Sequence, residues 1–441
     1  FTNTGQTIQV DAGSKLNVLS GATIVNGTLQ TTGSGFVQVN SGSTFDDIRL
    51  DGQASHANAQ DTTILNGLIN DGTWSLNSLG SLTEMTFSGA QTLSGSGEVV
   101  MSDNTGNRVL TSNTVLTQAA GHTIRGAGQL LGNSGGLINQ GSILAEGANV
   151  LVIDPNGLGF VNQATLQASG SGGLQFNAGT FTNTGQTIQV DAGSKLNVLA
   201  GATIVNGTLR TSGTGFVQVN SGSTFDDIRL DGQASHANGQ DTTILNGLLN
   251  DGTWSLNSLG SLTEITFSGA QTLSGSGEVV MSDNSGNRIL TNSAVLTHAV
   301  GHTISGAGQL LGNTGGMINQ GAIFAEGANA LVIDPDALGF VNMGTLRAIG
   351  SGGLEFNAGD YINTGQAIEV ENGSTLLVKS GTTIFGGTLQ TTGSGEIFVQ
   401  PGSNFDDIRL DGLVTHQNGM DTVVTNGLIN DGTWSLNSLG S

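Results

Sequence analysis

Three aspartates and one arginine stand together in the octapeptide FDDIRLDG, which fills residues 45–52, 225–232 and 405–412. Carboxylates grouped this closely could form a Ca²⁺ site, because Ca²⁺ takes oxygen ligands from Asp and Glu. A calcium site in each copy is therefore one interpretation of the octapeptide. In the first two copies such a site would use Asp46, Asp47, Asp51, Asp226, Asp227 and Asp231.

The arginine of the octapeptide favours a different interpretation. Residues two apart in a strand share a face, so Arg49 is expected to lie between the carboxylates of Asp47 and Asp51. The positive charge of Arg49 at that point would repel a Ca²⁺ ion. The sequence also contains no glycine-aspartate nonapeptide of the calcium-binding β-roll type. We therefore predict a self-compensating row of surface charges, with no bound metal and no cofactor.

A polar segment with one histidine follows each octapeptide, and in the first copy it reads QASHANAQD. It stands where other repeats carry FVQV, so it is the most polar segment of each copy. Two interpretations are open, a solvated turn or a lateral patch that binds glycans or a neighbouring fibre. The predicted patch comprises Asp51, His56, Asp61, Asp231, His236, Asp241, Asp411, His416 and Asp421.

Each copy also has one tryptophan in the segment NDGTWSLNS: Trp74, Trp254 and Trp434. An exposed tryptophan could stack on a sugar ring, but the alternation of Trp74 with Leu76 equally predicts a core position. His122 and His302 precede strands that begin TI, and we expect both at the surface.

Asparagine or aspartate recurs at a nearly constant interval. Asn26, Asp47 and Asn66 occupy the same place in three aligned segments, at intervals of about 20 residues. Such side chains could stack along an axis and hydrogen-bond to the backbone of turns. The predicted structural column comprises Asn26, Asp47, Asn66, Asn139, Asn162, Asn183, Asn206, Asp227 and Asn246.

A longer repeat contains these short ones. Residues 1–180 and 181–360 differ at 28 positions without insertion or deletion, and residues 361–441 begin a third copy. We therefore predict three repeat units in one continuous solenoid without linkers, the third of them partial. The chain begins and ends within the repeat, so we expect it to be part of a longer protein.

The elements that carry these residues are predicted to be short β-strands. Segments such as TIQVDAGSKLNVL alternate apolar and polar residues, and the 72 glycines supply turns at short intervals. The economical architecture is an all-β, single-stranded, right-handed parallel β-helix with about 20–23 residues per turn and roughly eight turns per copy. Its interior would include Ile8, Val10, Leu16, Val18, Ile24 and Leu29.

Composition excludes several partners. The net charge is −22, from 33 acidic and 11 basic residues, which repels nucleic acid and anionic lipid. The absence of Cys excludes disulfides and thiolate metal sites. Apolar runs fall far short of the ~18 residues of a membrane span, so we expect no membrane insertion by this segment.

Recurrent INxGxI and VNGTL segments (Leu137–Ile143, Val205–Leu209), with TIxGxGxL (Thr123–Leu130, Thr303–Leu310), resemble known shafts. They are similar to the right-handed β-helices of large bacterial surface proteins, the autotransporter passengers and filamentous-haemagglutinin-like adhesins. The resemblance implies secretion by a type V route, an extracellular or cell-surface location, and a role in adhesion or biofilm formation.

Three functions follow as hypotheses. The first is a structural segment of a giant secreted or surface-anchored bacterial fibre, a stiff rod whose partners are further copies in the same chain, neighbouring fibres, glycans or cell surfaces. The second is a carbohydrate-binding lateral surface repeated on each copy. The third is a polysaccharide-degrading β-helix enzyme, which needs paired carboxylates, or Ca²⁺ with a basic residue, in a cleft. Because every feature recurs from copy to copy, we predict a non-enzyme without catalytic residues.

Overall fold

The computed structural model describes residues 1–416, 419 and 421–438. Within that part of the chain every regular element is a β-strand, and parallel strands stack as a β-solenoid of about 20 turns. The prediction of an all-β parallel solenoid is therefore confirmed. The chain forms two compact units, unit 1 (residues 1–218) and unit 2 (residues 219–441).

The described residues form 55 strands. The strands that begin within residues 1–178 are β1 Thr7–Val10, β2 Lys15–Val18, β3 Thr23–Val25, β4 Thr28–Thr31, β5 Phe36–Val39, β6 Ser43–Asp51, β7 Gln53–His56, β8 Asp61–Asn70, β9 Thr73–Leu76, β10 Thr83–Phe87, β11 Gln91–Ser94, β12 Glu98–Met101, β13 Asn107–Thr111, β14 Val115–Gln118, β15 Thr123–Gly126, β16 Gly128–Leu131, β17 Gly136–Asn139, β18 Ser142–Ala145, β19 Leu151–Ile153, β20 Phe160–Asn162, β21 Thr165–Ala168 and β22 Leu174–Phe176.

The strands that begin within residues 179–358 are β23 Gly179–Thr182, β24 Thr187–Val190, β25 Lys195–Val198, β26 Ala202–Val205, β27 Thr208–Thr211, β28 Phe216–Val219, β29 Ser223–Asp231, β30 Gln233–His236, β31 Asp241–Asn250, β32 Thr253–Leu256, β33 Thr263–Phe267, β34 Gln271–Ser274, β35 Glu278–Met281, β36 Asn287–Thr291, β37 Val295–His298, β38 Thr303–Gly306, β39 Gly308–Leu311, β40 Gly316–Asn319, β41 Ala322–Ala325, β42 Leu331–Ile333, β43 Phe340–Asn342, β44 Thr345–Ala348 and β45 Leu354–Phe356. The remaining strands are β46 Gly359–Ile362, β47 Ala367–Val370, β48 Thr375–Val378, β49 Thr382–Phe385, β50 Thr388–Thr391, β51 Glu396–Val399, β52 Ser403–Asp411, β53 Leu413–His416, β54 Thr422–Asn430 and β55 Thr433–Leu436.

Strands in each unit pair in parallel with the strand one turn further along the chain. In unit 1 the advance per turn is short where Val37 pairs with Ala54, and long where Glu98 pairs with Thr123. The predicted interval lies between these two. The spread arises at the corners, because loops of different length join strands that keep their register.

Alternating side chains fill the interior of each unit, as the period of a half-buried strand requires. Four of the predicted interior residues are at most 5% exposed: Val10, Val18, Ile24 and Leu29. Ile8 and Leu16 lie in the first turn and are only partly buried. Large aromatic side chains are buried too, among them Phe176 and Phe181, whose rings stack with centroids 4.1 Å apart.

Glycine is required where turns approach each other closely. Gly126 has φ +114°, and a Cβ atom at this position would collide with the carbonyl oxygen of Met101 in the preceding turn. No helix in the described part of the chain has the length and apolar character that crossing a bilayer requires.

Candidate functional site

The aspartates of the first octapeptide are directed to different partners. Asp46 accepts a hydrogen bond from Asn66 Nδ2 at 2.6 Å, and Asp51 accepts one from Gln30 Nε2 at 2.9 Å. Asp47 lies in a β-bulge, with φ +50°, and is exposed. In the described ranges, no three His, Asp or Glu side chains come together as ligands for a metal ion. The carboxylates of Asp46 and Asp51 therefore bind neighbouring turns instead of converging on one point.

The ion pair of Arg49 corrects the predicted pairing within the octapeptide. Its Nη2 lies 2.8 Å from Asp71 Oδ2, in the following turn, and Arg229 pairs with Asp251 in the same way at 2.8 Å. In-register pairing of β6 with β8 places Arg49 opposite Ile69, and Asp71 follows two positions later. Since both arginines are about half exposed, each pair contributes only about 0–1 kcal/mol to stability.

The histidine of the predicted lateral patch lies in the interior. His56 is 0% exposed, and its Nδ1 accepts a hydrogen bond from Trp74 Nε1 at 3.0 Å. In unit 2, His236 and Trp254 repeat this contact at 3.0 Å. Burial lowers the pKa of both histidines from 6.5 to about 3, so both rings are neutral. These two tryptophans are likewise interior and are not available for stacking on a sugar.

Strand register explains why His56 is buried. The QASH segment forms strand β7, in which Ala54 pairs with Val37 and His56 pairs with Val39. On its other side His56 pairs with Leu76. The alignment of QASH with FVQV is therefore enough to predict that His56 is buried, because it places His56 at a position whose side chain points into the interior.

The carboxylates of the predicted patch are the part that lies at the surface. Asp61, Asp241, Asp411 and Asp421 are exposed, and Asp51 is partly exposed. In the third copy His416 is 5% exposed, and its Nε2 lies 2.8 Å from the hydroxyl of Thr422. The patch is thus acidic on the outside, with its histidines turned toward the core.

The predicted asparagine column divides into two sets in the structure. Members of the first set adopt left-handed backbone angles, with φ between 50° and 61°, and are partly or fully exposed: Asn26, Asp47, Asn66, Asn206, Asp227 and Asn246. Asn and Asp tolerate this conformation better than other residues with side chains. This first set therefore shapes the turns. Members of the second set are buried, and they form a ladder that recurs in unit 2.

The buried set in unit 1 joins three successive turns. Asn139 Nδ2 donates to Asn162 Oδ1 at 2.8 Å, and Asn162 Nδ2 donates to Asn183 Oδ1 at 2.8 Å. Asn183 Nδ2 then donates to the backbone oxygen of Gln186 at 2.9 Å. The amides therefore pass hydrogen bonds from one turn to the next, as in stacked amide ladders.

Two histidines belong to the equivalent ladder in unit 2. The resulting set, called the unit-2 column, comprises Asn250, His302, His298, Asn319, Asn342 and Asn363. Asn250 Nδ2 lies 3.1 Å from His302 Nε2, and His302 Nδ1 lies 3.0 Å from His298 Nε2. His298 Nδ1 lies 2.8 Å from Asn319 Oδ1. From there, amide-to-amide bonds of 2.9 and 2.8 Å continue to Asn363.

The neighbouring groups fix the direction of these bonds. The oxygen of Asn250 accepts from the backbone of Gly252, so its Nδ2 must be the donor to His302. His302 then carries its proton on Nδ1 and donates to His298 Nε2. His298 in turn donates from Nδ1 to Asn319. Both imidazoles are therefore neutral Nδ1–H tautomers in a chain of hydrogen bonds that runs one way.

The equivalent set in unit 1, called the unit-1 column, is interrupted. It comprises Asn70, His122, Gln118, Asn139, Asn162 and Asn183. Asn70 Nδ2 lies 3.1 Å from His122 Nε2, but His122 Nδ1 and Gln118 Oε1 are both buried without a hydrogen-bond partner. Gln118 Nε2 instead donates to two backbone oxygens, those of His122 and Ser142, each at 2.9 Å.

Burial sets the charge state of both columns. It lowers the pKa of His298 and of His122 to about 4, and that of His302 to about 3. The predicted surface position of His122 and His302 is wrong, since the structure places them at 0% and 1% exposure. The sequence signal was weak, because each lies in a turn before a strand, where no alternation assigns an inward or outward direction.

No family model, no curated protein and no solved structure matches this chain. Inside the solenoid the columns hold neutral groups that bind one another, and outside it Arg49 and Asp71 bind adjacent turns. In both places polar chemistry is used to connect one turn to the next.

Proposed function

We propose that this chain is a structural repeat segment of a giant secreted or surface-anchored bacterial fibre or adhesin. It acts as a stiff extracellular rod in adhesion, biofilm or filament formation. The observation that carries the proposal is the turn-to-turn use of polar side chains, inside through Asn139 and Asn162 and outside through Arg49 and Asp71. A role of this kind requires no catalytic residue, metal or cofactor.

Electron microscopy of the purified chain tests the proposal. At ~4.8 Å per turn, a copy of roughly eight turns adds about 40 Å of length. We expect thin unbranched rods, and a variant with one more full copy should be longer by about 40 Å at unchanged width. Compact particles, or growth in width instead of length, would contradict the proposal.

A carbohydrate-binding lateral surface is the second candidate. It is supported by the acidic patch that recurs in each copy, with Asp61, Asp241 and Asp421 all exposed. A glycan array probed with the intact chain tests it, with Asp61→Asn combined with Asp241→Asn as the matched variant. Selective binding that the variant loses supports this candidate, and an array without signal contradicts it while leaving the rod proposal standing.

A further inference from the structure

Two equivalent joins connect the end of one copy to the start of the next. In the first join, within unit 1, β21 and β22 pair with β24 and β25. In the second join, within unit 2, β44 and β45 pair with β47 and β48. The two joins have the same strand register, so each position of the first join has an equivalent in the second.

The interiors of the two joins are the same in these strands, whereas the strands β23 and β46, which also pair across the joins, carry Phe181 in the first join and Tyr361 in the second. Every inward residue of the paired strands is identical between them, as Leu166, Ala168, Leu174, Phe176, Ile188, Val190, Leu196 and Val198 correspond to Leu346, Ala348, Leu354, Phe356, Ile368, Val370, Leu376 and Val378. An incorrect join, in which the end of the first copy meets the start of the third, would bury the same apolar surface in these strands. The hydroxyl of Tyr361 does not discriminate either, because it donates to the backbone oxygens of Ile333 and Asn357, and the first copy has the same residue types at the equivalent positions. Core packing alone therefore does not select the correct partner.

The first outward row differs in charge between the joins. Gln167 pairs with Gln189 in the first join and also donates a hydrogen bond to Asp191, whereas Arg347 pairs with Glu369 in the second join. Arg347 Nε lies 2.9 Å from Glu369 Oε2, and the same guanidinium also contacts Glu371. The second join thus places a cation on the second copy and anions on the third.

The second outward row has the opposite polarity. Gln175 and Leu199 stand in the first join where Glu355 and Lys379 stand in the second. Lys379 Nζ lies 2.6 Å from Glu355 Oε2. Here the anion is on the second copy and the cation is on the third, so the two rows are complementary only when these two copies meet.

We propose that these two rows are an electrostatic key that selects the third copy as the partner of the second, and so fixes the order of nearly identical repeats during folding. An incorrect join of the first copy to the third would place Gln167 beside Glu369 and Gln175 beside Lys379. It would form none of the three ion pairs of the second join. Individually weak surface pairs can act in this way because only a difference between nearly identical joins is needed.

Engineered disulfides in the full chain report which join has formed, because the chain has no cysteine of its own. Gln175→Cys with Leu377→Cys cross-links only the incorrect join, since the native partner of Leu377 is Glu355. Gln175→Cys with Asn197→Cys reports the correct first join. In-register neighbours about 4.8 Å apart are within the range of disulfide geometry.

Each reporter chain is unfolded, refolded in a glutathione redox buffer and mapped by mass spectrometry. In the key-less variant, Arg347→Gln, Glu355→Gln, Glu369→Gln and Lys379→Leu install the residues of the first join. We expect the incorrect-join disulfide to rise at least about fivefold in this variant relative to the parent, and to rise in the parent when refolding is done in ~1 M salt, which screens surface charge.

Arg125→Ser is the matched control, because Arg125 pairs with Glu98 and Glu146 away from either join, and Ser305 stands in the equivalent position of unit 2. This variant should leave the incorrect-join fraction unchanged. The proposal is overturned if the key-less variant matches the parent, or if Arg125→Ser raises the fraction equally. In the separate reporter with Gln175→Cys and Asn197→Cys, formation of the correct-join disulfide in the parent, key-less and Arg125→Ser backgrounds verifies that folding has occurred.

Discussion

The unit-1 and unit-2 columns are built on equivalent strands but differ at one side chain. His298 connects His302 to Asn319 in unit 2, whereas Gln118 at the equivalent position leaves a buried acceptor and the donor of His122 unpaired. Both units nevertheless keep the same register, since Leu116 pairs with Leu137 as Leu296 pairs with Met317.

The comparison separates two contributions to the fold. The backbone ladder and the apolar interior set the register, because the register survives an interrupted column. The buried column adds local stability, because each buried polar group that finds a partner avoids a cost of about 1–3 kcal/mol. We therefore expect the unit-2 column to be more stable around His298 and His302 than the unit-1 column is around Gln118 and His122. Along the asparagine ladders that follow, the two columns should be equally stable.

The largest expected effect comes from interrupting the buried asparagine ladder that both columns contain. Asn342→Ala leaves a hydrogen of Asn319 and the oxygen of Asn363 without partners, and should lower local stability by about 3 kcal/mol. Asn162→Ala should cost the same in unit 1. Hydrogen exchange of the flanking strands measures both losses.

An exposed amide pair provides the control for these substitutions. Gln140 Nε2 donates to Gln163 Oε1 at 3.0 Å on the surface, so Gln140→Ala should change the free energy of local opening by less than about 0.5 kcal/mol. Equal losses for Gln140→Ala and Asn162→Ala would mean that the buried ladder contributes nothing special.

The second-largest expected effect is a difference between the two units in how their stability depends on acid pH. The pKa values of His298 and His302 in the folded chain are about 4 and about 3, below the ordinary 6.5. Between these values and pH 6.5 the two histidines are therefore protonated in the unfolded chain but neutral in the folded chain. The free energy of unfolding therefore falls as pH drops below 6.5 and goes on falling toward these lower values. Each buried histidine contributes a slope of up to about 1.4 kcal/mol per pH unit.

The column in unit 1 has one histidine, His122, where unit 2 has two. Between pH 6.5 and 5, exchange protection corrected for intrinsic rates should fall more steeply around β37 and β40 than around β14 and β17. His298→Gln should reduce the slope in unit 2 to that of unit 1. Equal slopes in the unsubstituted units would contradict the assignment of His298 as a buried neutral group.

A smaller effect should follow from exchanging the differing side chain. At pH 7, Gln118→His should connect His122 to Asn139 and stabilise unit 1 locally by about 1–2 kcal/mol, since it pairs a buried donor. The reciprocal His298→Gln should cost unit 2 a similar amount. Hydrogen exchange near residues 115–145 and 295–325 tests both, and destabilisation by Gln118→His would show that the site cannot accept the longer chain of bonds.

The parallel solenoid could be predicted because its signals are local and repeated. Alternation in TIQV identifies strands, and the long repeat shows that one pattern is used throughout. Side-chain partners could not be predicted in the same way, because they lie one turn away and the number of residues per turn varies along the chain. For this reason the sequence predicts a partner for Arg49 within its own octapeptide, although its partner in the structure is Asp71.

The buried histidines illustrate the same limit. The polar neighbours of His56 in the sequence predict a surface patch, whereas strand pairing with Val39 directs its side chain inward. His302 precedes its strand, so alternation could not assign it, and its role depends on Asn250, 52 residues earlier.

The histidine tautomers test the central claim most directly, namely that neutral buried groups connect the turns in a defined direction. In ¹⁵N NMR of the intact chain at pH 6.5, His298 and His302 should both be neutral with the proton on Nδ1. His56 and His236, which accept from tryptophan at Nδ1, should be neutral with the proton on Nε2. A cationic ring, or an Nε2–H tautomer at His298 or His302, would contradict the directed column.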